Sequence, residues 1–124
     1  MQHVFISILM AKNEKHSIKL RIWFYSGENK VLGKGRIELL ERIKNTGSIS
    51  GAAKGVKMAY RQAWQMVEEM NEFSKLPLVE KQLGGKSGGG TIVTEAGERA
   101  IKAFHTLENK VNVFAVKEAE KLTF

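Results

Sequence analysis

The sequence contains no cysteine, no aspartate and only one proline, and it has no long uninterrupted apolar run. Without cysteine there is no disulfide framework, zinc-thiolate site or cysteine nucleophile, and a reducing compartment, the cytoplasm, is the expected location. A membrane-spanning helix needs about 20 consecutive apolar residues, so no membrane role is expected. The apolar stretch Val4 to Met10 has only His3 ahead of it, with no basic leader and no small-residue cleavage site, so it does not read as a signal peptide. Residues 1–16 are expected to be a leader, frayed or added as an extra strand, with Met10 a second candidate translation start. His3, His16 and His105 are scattered, with no thiol or carboxylate pattern around them. Neither a metal site nor histidine-based catalysis follows, and no enzyme and no cofactor is expected.

What is present is one domain's worth of chain, 124 residues with a hydrophobic fraction of 43%. Twenty Lys and Arg against thirteen Glu leave a net charge of +7, which favours a polyanionic partner. Position says more than the sum. No acid occurs between Glu41 and Glu68, a window that holds Lys44, Lys54, Lys57 and Arg61, and a second acid-free stretch from Lys81 to Thr94 holds Lys81 and Lys86.

Hydrophobic spacing divides the chain. In residues 17–25 Ile18, Leu20, Ile22 and Phe24 alternate with Lys19, Arg21, Trp23 and Tyr25, the pattern of a half-buried strand. The turn residues Ser26-Gly27-Glu28-Asn29 then return it through Val31-Leu32 as a hairpin. Ile37, Leu40 and Ile43 recur at helical spacing over residues 36–44, and Gly47 stops that helix. Ser48 is placed to cap a short helix carrying Ile49, Ala52, Ala53 and Val56, and Gly55 is the expected break. Residues 60–73 form a longer amphipathic helix, with Tyr60, Ala63, Trp64, Val67, Met70 and Phe73 on the expected core face. Its charges run against the helix dipole, Arg61 at the start and Glu68, Glu69 and Glu72 later, which suits an anion at its amino end.

After Pro77, residues 78–83 and 91–93 read as strands joined by a glycine-rich loop with Lys86 at its tip. Thr94 caps a final helix, along which Ala100, Phe104, Leu107, Val111 and Phe114 repeat at spacings of four and three, a seam suited to another helix. The glycine loop is not a phosphate-binding P-loop, because that motif requires glycine where Glu80 stands.

Helix, short helix, turn, amphipathic helix and glycine-tipped hairpin is the order of a winged helix-turn-helix. The expected fold is α+β, mainly helical: a winged helix over residues 17–94 with an N-terminal β-hairpin and a wing near 78–93, then a long C-terminal dimerisation helix over 95–124. Arg61, Gln62 and Gln65 would read base edges. Ser48, Lys57, Tyr60 and Lys86, with Lys81 on the wing, would hold the phosphate backbone.

The residues SISGAAKGVKMAYRQAWQMVEEMN, followed by LVEKQLGGKSGGGTIVTEAGERAI, resemble the amino-terminal DNA-binding domain of the ModE-type molybdate-responsive regulators. A looser pattern is shared with LysR-type regulators. The resemblance covers residues 33–107 and implies a homodimer on double-stranded operator DNA, its terminal helix in the dimer contact. Family members carry carboxy-terminal oxyanion-binding domains that this sequence lacks, so molybdate sensing by the chain itself is not expected. Ala59 stands where the family commonly has Ser, and losing such a capping hydroxyl costs about 0.5 to 2 kcal/mol. The helix start would then fray or be covered by Met58. The alternative is a winged-helix module that docks on a protein, or a regulator whose sensing is done by a separate partner.

Overall fold

A computed structural model describes residues 16–83 and 90–124. They fall into two units, Arg21–Glu108 and a smaller one in which Asn109–Phe124 joins residues 16–20. The tip of the glycine loop, with Lys86, lies outside the described residues.

The larger unit opens with a hairpin. Strand β1 (Trp23–Ser26) pairs antiparallel with β2 (Asn29–Gly33), Trp23 opposite Gly33 and Ser26 opposite Asn29, with an irregular register between Phe24 and Tyr25. The alternation from Ser17 predicts a longer, half-buried strand. Instead the strand begins at Trp23, and all of its residues are exposed. Burial belongs to the return strand, because β2 is the one that packs on the helices and buries Val31 and Leu32. β1 is an outer edge. Trp23 lies over Gly33, where an added Cβ would come within 3.0 Å of the indole, and Arg21 and Lys30 sit 5.5 and 5.7 Å from its ring.

Helix α1 (Lys34–Thr46) buries Ile37, Leu39, Leu40 and Ile43, the centre of the core. Gly47, with a left-handed φ of 69°, ends it by donating its N–H to the Ile43 carbonyl at 2.8 Å. Helix α2 (Ile49–Gly55) adds Ile49, Ala52 and Ala53, and α3 (Tyr60–Phe73) adds Ala63, Val67 and Met70. Strands β3 (Val79–Lys81) and β4 (Thr91–Val93) form the stem of the wing in antiparallel register, β3 being shorter than the strand expected over 78–83. Helix α4 (Glu95–Lys121) follows under a Thr94 cap, whose hydroxyl accepts from Gly97 N–H at 3.0 Å and donates to the Pro77 carbonyl at 2.6 Å.

The seam expected along α4 divides. Phe104 is only 3% exposed and belongs to the core of its own unit with Ile101, whereas Leu107 and Phe114 are 40% and 63% exposed. In the smaller unit Ala115 and Ala119 are buried. Among the described residues no helix is long and apolar enough to cross a membrane.

Polar ties fix how these elements meet. The buried Arg36 guanidinium donates to the Lys30 carbonyl at 2.9 Å and to Glu69 Oε2 at 3.0 Å, joining hairpin, α1 and α3. Lys44 pairs with Glu98 at 3.1 Å, and His105 lies 3.1 Å from both Glu41 and Glu108, so α1 and the first turns of α4 are linked along their exposed sides. The Arg36 tie is the consequential one, because removing a buried cation's side chain leaves the partner carboxylate and carbonyl without a donor. Arg36→Ala is expected to lower stability by about 2–3 kcal/mol in urea denaturation. Glu69→Gln, which keeps an acceptor at that place, should cost less than half as much. Equal losses would assign the effect to packing of the Arg36 stem.

Candidate nucleic-acid interface

The interface begins at the end of α1. Thr46 Oγ1 donates to the Arg42 carbonyl at 2.7 Å, and one turn of chain later Ser48 Oγ accepts the Gly51 N–H at 3.0 Å, starting α2. Ser48 is thus engaged in capping. Ala52 and Ala53, at 0% and 2% exposure, let α2 sit close to its neighbours.

Helix α2 ends at Gly55, the break the sequence suggests, and the chain reverses over residues 56–58. Met58 N–H donates to the Ala53 carbonyl at 2.9 Å and Lys57 N–H to the Lys54 carbonyl at 3.2 Å, a Schellman pair whose left-handed residue is Lys57, at φ 55°. Backbone sterics favour glycine at that position, since a side chain there costs about 1–2 kcal/mol. The Lys57 side chain is exposed beside the start of α3.

That start is unusually open to an anion. Ala59 takes the cap position with no side-chain hydrogen bond, the first turn holds no acid, and Arg61 stands within it. The helix forms in full from Tyr60 without the capping hydroxyl, and Met58 is partly buried against the core beside it. The unsatisfied N–H groups and the dipole therefore face outward unopposed.

Helical spacing sorts the exposed side chains of α3. Ala63, Val67 and Met70 face the core, and Arg61, Gln65, Glu68 and Glu72 occupy the far side. Gln62 is exposed but shares the side of Glu69, which pairs with Arg36, so it is turned away from the wing. Tyr60 and Trp64 were expected in the core. They are 56% and 37% exposed, because the side they occupy is the one toward the wing rather than toward α1. Tyr60, Ser48, Lys81, Gln82 and Thr91 line one cleft of about 320 Å³ between the helix-turn-helix and the wing stem.

Two contacts hold that cleft open at a fixed width. Thr91 N–H donates to the Gly47 carbonyl at 2.9 Å, fastening β4 to the turn before α2. Asn71, near the end of α3, accepts from Leu78 and Val79 N–H at 2.8 and 3.2 Å and donates to the Val79 carbonyl at 2.9 Å, fastening β3 to α3. Asn71 fastens the cleft and was missed by sequence reasoning; the short polar side chain at the end of an amphipathic helix was the available signal.

The structure thus brings Ser48, Tyr60 and Lys81 into one cleft and leaves Lys57, Arg61 and Gln65 exposed on the turn and outer side beside it. No protein-family model matches the chain. It is 45% identical over 73 residues to the transcriptional regulator ModE of Haemophilus influenzae, a match covering 59% of this chain and 29% of that protein. It is 44% identical over 72 residues to the DNA-binding transcriptional dual regulator ModE of Escherichia coli K12, covering 58% and 28%, and 46% identical over 77 residues to the molybdenum-pterin-binding protein MopA of Rhodobacter capsulatus, covering 62% and 29%. Over that stretch the chain is ModE-like. The ModE-like segment spans less than a third of the length of these curated relatives. Among solved structures, a LysR family transcriptional regulator matches with a TM-score of 0.49 at 19% identity, covering 64% of this chain and 26% of that one.

The Lys57 geometry within the ModE-like segment gives a direct test. Lys57→Gly relieves the left-handed strain and should raise unfolding stability by about 1 kcal/mol, measured by urea titration. A loss of stability would mean that the lysine stem carries packing that outweighs the strain.

Proposed function

We propose that this chain is a sequence-specific, DNA-binding transcriptional regulator that acts as a homodimer, with α3 in the major groove of double-stranded DNA and the glycine-rich wing on the backbone. The observation that carries the reading is the outer side of α3. Arg61 and Gln65 stand exposed at the uncapped, acid-free end of a helix flanked by a wing, and the groove admits a helix whose Arg and Gln each reach a base edge with two hydrogen bonds. Similarity to ModE regulators over about three-fifths of the chain supports the same role. Lys57, Tyr60, Ser48, Lys81 and Lys86 serve the phosphates, which fix position without reading sequence. Occupation of an operator, and hence repression, is the simplest mechanism.

Dimerisation is supported by Leu107 and Phe114, exposed apolar residues of α4, and by an apolar groove of about 580 Å³ bounded by Phe24, Leu78, Ala100 and Leu107. Ala100 and Val111 are partly buried and complete the seam. Phe104 is committed to the core, so a charge there tests folding; Leu107→Glu or Phe114→Glu tests association. Either should shift sedimentation from dimer to monomer with the far-UV circular dichroism spectrum unchanged, and unchanged sedimentation in both would remove α4 from the interface.

Selection from a random duplex library at near-physiological salt tests the function. An enriched, two-fold symmetric motif is expected, with Arg61→Ala and Gln65→Ala each flattening preference by about 1–3 kcal/mol at one base pair. Lys81→Ala should weaken all duplexes alike and lower the salt slope by about one. An unenriched pool from folded protein would instead favour the exposed aromatics of β1, Trp23, Phe24 and Tyr25, as a docking surface for a separate protein partner.

A further inference from the structure

We infer that Trp64 is a specificity-determining residue that reads thymine through its C5-methyl group. This rests on the placement of α3 in the major groove and goes beyond it by assigning an apolar reader to one base.

Trp64 is 37% exposed, although Ala63 beside it and Val67 one turn on are both buried in the core cluster. It lies one turn after Tyr60 on the side of α3 that borders the wing cleft, and seven residues before Asn71, which clamps β3 on that same side. Somewhat more than a third of the residue's surface is therefore left in water on that side of the helix. Leaving that area exposed is unfavourable, by about 25 cal/mol for each Å² of apolar surface, and the free protein recovers it only by covering the ring.

What covers it is restricted by its neighbours. Glu68, one turn further along α3, is exposed and forms no ion pair among the described residues. A carboxylate on this turn disfavours a phosphate beside the indole, and with α3 in the major groove the groups left to the ring are base edges. Of the groups that bases show in the major groove, the thymine methyl is the apolar one. Arg61 and Gln65 supply the polar contacts on the adjoining side, and the indole adds a contact that distinguishes thymine from cytosine and from the purines.

The test uses the duplex recovered by selection, with each thymine replaced singly by deoxyuridine, which removes the methyl and leaves every hydrogen-bonding group in place. Wild-type protein should bind about fourfold more weakly at one replaced position per half-site, the value of one buried methyl group. Trp64→Ala should bind the thymine and uracil duplexes equally, and Trp64→Phe, which keeps an apolar ring, should retain part of the difference. Wild-type protein indifferent to every replacement, or Trp64→Ala keeping the full uracil penalty, overturns the assignment. A selected pool without a motif would remove groove reading itself and the role of Trp64 with it, whereas an enriched pool indifferent to uracil removes the role of Trp64 alone.

Discussion

The arrangement depends on one carbonyl held in place by a left-handed residue. Gly47 ends α1 with a φ that only glycine adopts without penalty, and that rotation presents its carbonyl to Thr91 N–H at the start of β4. Gly90 completes the approach, since an added Cβ there would come 3.1 Å from the same oxygen. With Asn71 holding β3 at the other strand of the stem, the wing is registered against both α1 and α3. Tyr60, Ser48 and Lys81 share a cleft because these two anchors hold their elements at a set separation.

The reading surface is organised by what has been removed from it. Helix stability would favour a capping hydroxyl at position 59, an acid in the first turn of α3 and glycine at position 57; the chain has Ala59, Arg61 and Lys57. Each departure raises the positive potential at one end of one helix. The acids of α3 are displaced to its far half, where Glu69 is used structurally by Arg36. Stability lost locally is supplied by the core of α1, in which Leu39, Leu40 and Ile43 are fully buried.

Much of this was legible in the residues. The bounds of α3, the Ser48 and Thr94 caps and the Gly47 stop follow from spacing and side-chain chemistry, because each is decided within a few residues. Three features were not, and each depends on something distant. Trp64 follows Ala63 and precedes Val67 by three, so periodicity places it on the border of the buried face; the position of the wing decides that the border is open. The alternation before Trp23 promises a buried face, but it is β2 that packs on the helices and buries its side chains, leaving β1 exposed. Phe104 belongs to the same class: its spacing fits an intermolecular seam, and the core of its own unit takes it first.

The base of α4 has a mechanical consequence. Thr94 binds the chain before β3 through the Pro77 carbonyl, its own N–H reaches the Leu78 carbonyl at 3.0 Å, and Gly97 passes so close that a Cβ would overlap Leu78 and Val93. The Val93 side chain packs directly against the helix backbone at Gly97. The first turn of α4 is thus joined to the base of the wing stem through the Thr94 hydrogen bonds and the Gly97 contact, so a displacement of one is coupled to the other.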